Sequence, residues 1–514
     1  MKQINKNRNV IIGVILYIIF LIIINISYFT QIIHDPYNGP KSKLLYIIVS
    51  IILSIISAYL IILVNKKKKM KLENIFVILA LIVGLFYMSA TPLLKGHDEA
   101  VHRYKAYSVS MGDFFQVKNE EGKMGNYLPS KVQGIYDIQG DYKAINYGTS
   151  MEAWNYAQDK TISNDMRFTN NEATAAYPPI QMLPQAVGIF IGRTLGLNMF
   201  LQAMCGRFTN LLFFVLVGYF TIKFIPNRKA FLLILLLSPK IIYTSTTLSG
   251  DVFTNMITLL FTSYIFKLKF ENKKISKKDM IFLMILTPCI STCKLVYFAM
   301  CALVLILPKE RFKNKKSKYI FVIMIFLISA ISILLWTNVI NQVNRAVNSE
   351  MQKEWILLHP ISYLGVIARG IFNNFSAWIL DMVGGTMSWH VAVRQPQIIS
   401  DIILFLLLVS VIQEDDNNEK NNLFDIIVIL AISIIVIVMI NTALYLEWSS
   451  TAEVGGINIT GIQGRYFIPI TLMLASIIPN KFIKLKNKIN IECLCILIIL
   501  CQIPSILNLL TNYI

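Results

Sequence analysis

Charged residues are scarce in this sequence, and acidic residues are the scarcer kind. Only 15% of the 514 residues are charged, whereas 55% are hydrophobic. An average soluble domain has about 25% charged residues, and this chain also has many apolar runs long enough to cross a bilayer. The scarcity of charge therefore excludes a soluble domain and indicates an all-α polytopic membrane protein.

Basic residues outnumber acidic residues, by 48 to 29. The excess does not indicate nucleic-acid binding, because most Lys and Arg stand in short clusters between apolar runs, as the positive-inside rule requires. The first apolar run follows Lys2, Lys6 and Arg8. It is too long, and too closely followed by a second run, to be a cleaved signal peptide. We therefore expect the amino terminus to lie inside the cell.

Cysteine is absent from the long polar loops. All seven cysteines lie in or beside apolar runs. Cys289 and Cys293 have helical spacing, but membrane sequence flanks both of them. We interpret them as small buried apolar residues and not as a disulfide or a metal-binding pair.

The basic clusters set a predicted topology of about thirteen transmembrane helices with the carboxyl terminus outside. Lys66–Lys69, Lys273–Lys278 and Lys481–Lys488 are predicted to lie inside. Alternation of the spans then holds only if residues 180–198, although apolar, lie along the outer surface as an interfacial helix. The predicted divisions are an N-terminal transmembrane hairpin (1–73), a membrane domain (74–480) with a small outer domain in loop 95–203 and a second outer segment at 340–396, and a basic inner loop with the last helix (481–514).

One predicted hairpin is unusually short. Residues 280–307 must cross outward and return between two basic clusters in about 28 residues. Two full crossings need roughly 40 residues. We therefore expect a hairpin with Lys294 at its tip, in the outer half of the bilayer.

The first long polar segment opens with an acidic pair, Asp98 and Glu99, directly after an apolar run. Acidic side chains at this place are costly if they face lipid. In a helix, Asp98 and His102 share one face, and Glu99 and Arg103 share the next. Carboxylates, an imidazole and a guanidinium would then converge at the membrane surface. The alternative is that Asp98 only caps the helix N-terminus.

Further polar residues fall on the same side, at the outer ends of different predicted helices. The full set is Asp98, Glu99, His102, Arg103, Tyr177, Arg207, Asp251, Lys294 and Arg465. An active site at the lipid–water boundary would collect residues in this way. Each also has a structural alternative: Arg207 can snorkel to headgroups, Asp251 can cap a helix, and Arg465 can anchor at the interface. Lys294 has no routine structural role inside a hairpin.

These motifs resemble integral-membrane glycosyltransferases of the GT-C type. The opening of the outer loop is HDEAVHRYKAYSVSMGDF, and a Pro-Pro helix with the next span follows as YPPIQMLPQAVGIFIGRTLGL and GRFTN. An outer Asp turn reads TLSGDVFTN, and the lysine hairpin reads STCKLVYF. Together with HPISYLG and QGRYFIPI, the set is closest to the bacterial membrane family named domain of unknown function 2142. The resemblance covers roughly residues 75–480.

The resemblance implies an inverting transfer of sugar from a polyprenyl-phosphate donor, on the outer face of a bacterial plasma membrane. The acceptor would be an envelope or cell-surface glycan or protein. Asp98 would act as catalytic base, with Glu99 orienting the acceptor or joining Asp98 around a divalent cation, which the chemistry does not require. Lys294 and Arg465 would neutralise the lipid phosphate. The other substrate-binding candidates are His102, Arg103, Tyr177, Arg207 and Asp251.

Two other functions stay open on the sequence. A transporter or flippase of a lipid-linked saccharide would be expected to carry ionisable residues near mid-membrane and internal repeats. Neither feature is obvious here, and the chain has a large outer loop instead. A non-catalytic scaffold of an envelope-polymer assembly is the third possibility. The sequence does not identify the sugar, the acceptor or the oligomeric state.

Overall fold

The computed structural model describes residues 70–139, 147–340, 348–387, 395–413, 421–451, 453–478 and 491–513. Nearly all of the predicted N-terminal hairpin (1–73), including Lys66–Lys69, lies outside the described residues, and so does the basic cluster Lys481–Lys488.

Helices make up most of the described chain. The α-helices are α1 (Leu72–Ala90), α2 (Glu99–Met111), α3 (Ser130–Gln139), α4 (Tyr147–Gln158), α5 (Leu183–Thr194), α6 (Met199–Phe224), α7 (Lys229–Leu236), α8 (Pro239–Ser245), α9 (Asp251–Phe270), α10 (Lys277–Cys293), α11 (Lys315–Ile340), α12 (Ser349–Leu358), α13 (Pro360–Val383), α14 (Gln397–Ile412), α15 (Leu423–Glu447), α16 (Ile468–Ile477) and α17 (Ile491–Tyr513). The strands are β1 (Val117–Lys118), β2 (Met124–Pro129) and β3 (Met166–Asn170).

The outer loop contains a small β-sheet that the all-α prediction did not include. Its three strands are antiparallel in the order β1-β2-β3, with Val117 opposite Gly125 and Asn126 opposite Thr169. The turn between β1 and β2 places Gly122 at φ +75°, a conformation that glycine adopts without strain. The sheet packs on α2 and α3, and α4 packs between α3 and the membrane helix α6.

Fewer continuous membrane-spanning helices are present than the thirteen predicted. Within the described residues, four helices are long and apolar enough to cross a bilayer, namely α1, α6, α11 and α15. The bent pair α12–α13 makes a fifth if it is counted as one span. The all-α membrane class is confirmed, with the small sheet as an addition. The thirteen predicted spans include apolar runs before residue 70, which lie outside the described residues, and the total stays a prediction. Within the described residues several predicted spans are shorter or interrupted helices, because counting apolar runs does not show where a run breaks.

One break divides the apolar run at residues 230–248, which is long enough in sequence to be counted as one span. Helix α7 ends at Leu236 and α8 begins at Pro239, so the run forms two short helices. Proline has no backbone N–H and clashes with the preceding helical turn, which explains the position of the break. Every residue from Phe231 to Gly250 is buried.

The segment that returns after Lys294 in the lysine hairpin is a 3₁₀ helix, which is more extended than an α-helix. After α10, Lys294 is in the β region (φ −146°, ψ 119°), and Leu295–Ile306 forms a twelve-residue 3₁₀ helix. A 3₁₀ helix rises about 2.0 Å per residue, so these residues cover roughly 24 Å instead of the roughly 18 Å of an α-helix. This conformation lets a short segment return over a longer distance, and it places Lys294 at the tip of the hairpin.

Helix α5, within the predicted interfacial segment 180–198, is short. Twelve residues cover about 18 Å, less than the roughly 30 Å hydrocarbon core. One face packs closely on α6, where a Cβ on Gly188 would lie 2.2 Å from the carbonyl oxygen of Cys205. The other face exposes Val187, Phe190 and Ile191. Its orientation along the membrane surface stays a prediction.

Arg228 joins helix ends at the side of the molecule predicted to face inward. Its guanidinium donates to the carbonyl oxygens of Val411 (2.9 Å), Ala475 (3.0 Å) and Ile478 (2.8 Å). The carboxyl-terminal ends of α14 and α16 therefore meet the start of α7.

Labelling of introduced cysteines tests this sidedness. In a cysteine-free background, we expect Asn227→Cys to react with a membrane-impermeant maleimide only after permeabilisation, because Arg228 and Lys229 hold this end inside. Thr161→Cys, exposed in the outer loop, is the matched control and should react in intact cells. Reaction at position 227 in intact cells would contradict the topology.

Candidate functional site

Four charged side chains from distant segments form a continuous chain of ion pairs. Arg465 donates from Nη2 to Oδ2 of Asp98, and its Nε lies 2.6 Å from Oδ2 of Asp251. The other oxygen of Asp251 lies 2.6 Å from Nζ of Lys294. We call Asp98, Arg465, Asp251 and Lys294 the ionic chain. The structure thus brings together four of the residues that the sequence singled out.

The members of the ionic chain differ in exposure. The Asp98 side chain is 37% exposed and that of Lys294 is 20% exposed, whereas Asp251 (5%) and Arg465 (2%) are buried. Asp98 and Lys294 therefore form the accessible ends of the chain, and Asp251 and Arg465 form its interior.

Asp98 precedes α2 but does not cap it. Its backbone is in the left-handed region (φ 53°, ψ 15°), and its side chain makes no capping hydrogen bond. That region is uncommon for residues other than glycine, although aspartate is among those that tolerate it. The carboxylate is directed to Arg465 instead, so the helix-cap alternative does not describe this residue.

Asp251 and Lys294 stand at helix ends that face each other. Asp251 is the first residue of α9, where a carboxylate also favours the helix dipole. Lys294 directly follows α10, and its ammonium lies 4.1 Å from the centre of the Tyr466 ring. This contact is a cation–π interaction. Tyr466 and Asp251 together fix the direction of the Lys294 side chain.

His102 lies beside the ionic chain as a neutral imidazole. Burial lowers its pKa below the ordinary 6.5, although Asp98 and Asp251 oppose this effect. Its Nδ1 accepts the N–H of Gly250 at 3.3 Å, so the single proton is on Nε2. No described residue pairs with Nε2. The ring meets that of Tyr177 edge to face at 5.3 Å, and burial raises the pKa of Tyr177.

Glu99 forms a separate, fully buried pair with Arg207. The guanidinium donates to both carboxylate oxygens at 2.7 Å. Backbone N–H groups of Gly96 and Leu248 also donate to them, at 2.9 and 3.0 Å. Burial alone would raise the pKa of Glu99, but Arg207 and these donors lower it overall. Each oxygen accepts two hydrogen bonds, and neither has capacity left for a substrate or a metal ion.

Arg207 is almost as fully paired. Of its five N–H donors, two go to Glu99 and one each goes to the carbonyl oxygens of Thr91 (2.7 Å) and Pro92 (2.8 Å). The pair therefore ties the end of α1, the start of α2 and the middle of α6. Arg207 is fully buried and does not snorkel to a surface.

Arg103 lies near Glu99 and Arg207 but pairs with neither of them among the described residues. It is buried on α2, and its three guanidinium nitrogens find no hydrogen-bond partner within the described residues. Burial lowers its pKa, with partial compensation from Tyr104 and Tyr107. No ion pair connects Arg103 to the ionic chain in the described part of the protein.

The site can now be compared with known proteins. Residues 81–474 match the family described as "Predicted membrane protein (DUF2142)". The chain belongs to this family. The matched residues include all four members of the ionic chain. The match confirms the DUF2142 family that the sequence motifs indicated. No curated protein and no solved structure matches it.

The structure of this DUF2142 member contains a second buried ionic group, which was not predicted from the sequence. Nζ of Lys240 lies 2.6 Å from Nε2 of His97, 3.1 Å from Oδ1 of Asp381 and 2.6 Å from the carbonyl oxygen of Thr386. An ammonium has three donors, and these three acceptors use all of them. The sequence did contain a signal for this group, because Lys240 is an ionisable residue inside the otherwise apolar run 230–248.

This second group holds the neighbours of the ionic chain. Oδ2 of Asp381 accepts the N–H of Gly464 at 2.6 Å. A Cβ on Gly464 would lie 2.2 Å from the carbonyl oxygen of Trp378, so only glycine allows so close an approach. Gly464 precedes Arg465, and His97 precedes Asp98. The Lys240 group therefore fixes the backbone on both sides of the Asp98–Arg465 pair.

The described residues contain no group of three His, Cys, Asp or Glu side chains that could hold a metal ion. A divalent cation between Asp98 and Glu99 does not fit this arrangement, because the Glu99 oxygens are fully used by Arg207 and two backbone donors.

The buried Glu99–Arg207 pair predicts a specific pattern of stability. Breaking a buried pair by removing one partner costs about 3–5 kcal/mol, whereas replacing both partners by uncharged groups costs much less. We expect Arg207→Met to reduce the thermal midpoint and yield of the purified protein strongly, and Glu99→Gln/Arg207→Met to recover part of the loss.

Arg167→Met, at an exposed position on β3, is the control for loss of an arginine and should change neither value. A wild-type midpoint for Arg207→Met alone would contradict the structural role of the pair.

Proposed function

We propose that this protein is a membrane glycosyltransferase that moves a sugar from a polyprenyl-phosphate donor to a glycan or protein acceptor on the outer face of a bacterial plasma membrane. The observation that carries the proposal is the accessible Asp98 carboxylate beside a buried guanidinium with unused hydrogen-bonding capacity. A base and an anion-binding cation are the two groups that such a transfer needs.

Asp98 is the carboxylate best placed to act as base. Glu99 is fully buried and saturated, and Asp251 holds the two cations of the ionic chain. Asp98 is 37% exposed, and its pairing with Arg465 uses one oxygen, Oδ2. The other oxygen can therefore meet an acceptor hydroxyl. Glu99 serves in this proposal as a structural brace instead of a catalytic group.

Arg465 and Lys294 are the candidate ligands of the donor phosphate. Nη1 of Arg465 is buried and finds no hydrogen-bond partner in the part of the chain that the structure describes. A buried charged donor left unpaired is costly, and a phosphate oxygen would satisfy it. Lys294 stands at the exposed end of the ionic chain. Nε2–H of His102 is a third, uncharged donor.

The proposed reaction then follows. Asp98 removes the proton from the acceptor hydroxyl, whose oxygen attacks the anomeric carbon from the face opposite the phosphate. The bond between the anomeric carbon and the phosphate oxygen breaks, and the configuration inverts. The polyprenyl phosphate leaves with the electron pair, and Arg465 and Lys294 stabilise its negative charge.

One observation favours the alternative of lipid-linked saccharide transport. The apolar run 230–248 is broken at Pro239, and the buried Lys240 stands at the break. Discontinuous helices with buried charges are typical of transporters. A transporter would move a labelled lipid-linked saccharide across a vesicle membrane without acceptor, whereas the proposed transferase needs acceptor and releases polyprenyl phosphate.

Substitution of Asp98 tests the transferase directly. Asp98→Asn keeps the shape and removes the base, and general-base catalysis contributes roughly 10²–10⁴-fold. We expect the transfer rate to fall by this amount while the protein accumulates normally. Asp113→Asn removes an exposed carboxylate just beyond α2 and should leave the rate unchanged. Retention of more than roughly a tenth of the rate by Asp98→Asn would rule out this role.

Substitution of Lys294 tests the phosphate site. A hydrogen bond to a charged group contributes about 1.5–3 kcal/mol, so Lys294→Ala should weaken donor binding roughly tenfold to a hundredfold. Lys294→Arg should restore binding only in part, because a guanidinium differs in shape. Lys273→Ala, at an exposed lysine, is the control. Unchanged donor affinity in Lys294→Ala, measured by titration in detergent, would exclude the contact.

A further inference from the structure

A long apolar groove of about 430 Å³ lies between α13, α14, α15 and α16. Its volume is within the roughly 300–1,000 Å³ range of ligand sites. Residues of its lining include Phe375, Trp378, Leu404, Leu408, Thr471 and Leu474. Among the lining residues, Thr471 and Trp378 alone carry polar side-chain atoms, and the Thr471 hydroxyl already donates to the carbonyl oxygen of Ile468. The groove therefore offers its occupant mainly hydrocarbon contacts.

The groove follows the helices lengthwise. On α16, Ile470, Leu474 and Ile478 line it at helical spacing, and Phe467 lines it at the start of the same segment. The distance from residue 467 to residue 478 is about 16 Å along a helix axis. The groove is thus long enough for a chain that lies parallel to the membrane helices.

The groove opens sideways. Phe375 is 54% exposed, Leu408 is 51% exposed and Ile478 is 40% exposed. In a membrane-spanning helix, large apolar side chains with this exposure face lipid. A hydrocarbon chain can therefore enter from the bilayer without passing through water.

One end of the groove lies at the ionic chain. Phe467 follows Arg465 by two residues and stacks on Trp378, with ring centres 5.0 Å apart. The backbone of Met382, which also lines the groove, lies close to Gly464, the residue before Arg465. The lining of the groove thus begins two residues from the guanidinium that lacks a partner for Nη1 among the described residues.

The other end lies at Arg228. This guanidinium binds the carbonyl oxygens of Val411, Ala475 and Ile478, and all three residues line the groove. The groove accordingly extends from one buried arginine, Arg465, to another at the opposite ends of the helices.

We propose that this groove binds the isoprenoid chain of the polyprenyl-phosphate donor, with the phosphate at Arg465; this inference rests on the proposed function. Lipid tails are as apolar as the groove, so burial from water does not favour the occupant. Selectivity for an isoprenoid chain must therefore come from its shape and from its covalent attachment to a phosphate that is bound nearby. A single chain attached to a phosphate held at Arg465 satisfies both, because binding of the phosphate raises the local concentration of the chain beside the groove.

A photoreactive donor analogue tests the site of the chain. The probe is a long-chain polyprenyl phosphate with a diazirine in its isoprenoid part, added to the purified full-length protein in nanodiscs. Crosslinked peptides are identified by mass spectrometry. We expect crosslinks on α13, α14 and α16, and their loss when unlabelled polyprenyl phosphate competes. Crosslinks spread over lipid-facing helices such as α11, without competition, would show ordinary lipid contact and overturn the proposal.

Obstruction of the groove gives the second measurement. Leu408→Trp places extra volume at its open side, and overpacking of this kind should weaken binding of the long-chain phosphate roughly tenfold. Binding of dimethylallyl phosphate, whose five-carbon chain leaves most of the groove empty, should change little. Leu334→Trp on α11, 66% exposed and away from the groove, is the matched control.

The outcomes separate the groove from the proposed function. Equal affinities of Leu408→Trp, Leu334→Trp and wild type for the long-chain phosphate would overturn the proposal that the groove binds the isoprenoid chain. Transfer that still depends on Asp98 would, in that case, continue to support the glycosyltransferase. Failure of wild type to bind either phosphate would contradict both.

Discussion

The buried guanidinium of Arg465 lies where segments distant in the sequence meet. Removing a charge from water costs several kcal/mol unless close partners compensate, and Arg465 has Asp98 on one side and Asp251 on the other. Several local features follow from this requirement. Gly464 lets the turn approach α13 closely, the left-handed backbone of Asp98 aims its carboxylate at the guanidinium, and Asp251 also holds Lys294.

Two kinds of buried ionic group stand side by side in this protein. The Glu99 carboxylate and the Lys240 ammonium use their hydrogen-bonding capacity fully, and their groups fix the segments that flank the site. The ionic chain keeps capacity at Nη1 of Arg465 and exposed area at Asp98. Saturated groups hold a fold in place, whereas unsaturated groups at an accessible surface can bind a ligand. This difference is the physical basis for placing the proposed chemistry at Asp98 and not at Glu99.

Much of the site was predictable because charge is so rare in this chain. Each ionisable residue at the end of an apolar run is conspicuous, and the positive-inside rule assigns it a side. This reasoning selected Asp98, Asp251, Lys294 and Arg465, which the structure brings into contact. It also selected Glu99 and Arg207, but it could not show that they pair with each other, because their contact joins residues 108 positions apart.

Other features depend on information that hydropathy does not contain. Apolar runs reveal how much sequence avoids water but not where a helix is interrupted, so the break at Pro239 and the 3₁₀ conformation after Lys294 were missed. Asp381 lies in an amphipathic stretch, where a single carboxylate is expected to face water. Its role becomes visible when Lys240 and Gly464 are seen on either side of it.

We propose that the ionic chain binds the phosphate of a lipid-linked sugar. Mass spectrometry of the lipids that co-purify with wild-type protein and with Arg465→Met, each extracted in mild detergent and compared at equal amounts of folded protein, tests this binding most directly. We expect a glycosylated polyprenyl phosphate with the wild type, strongly depleted in the variant. Recovery of bulk phospholipid alone from the wild type, or of the same polyprenyl-linked sugar in equal amount from both proteins, would contradict it.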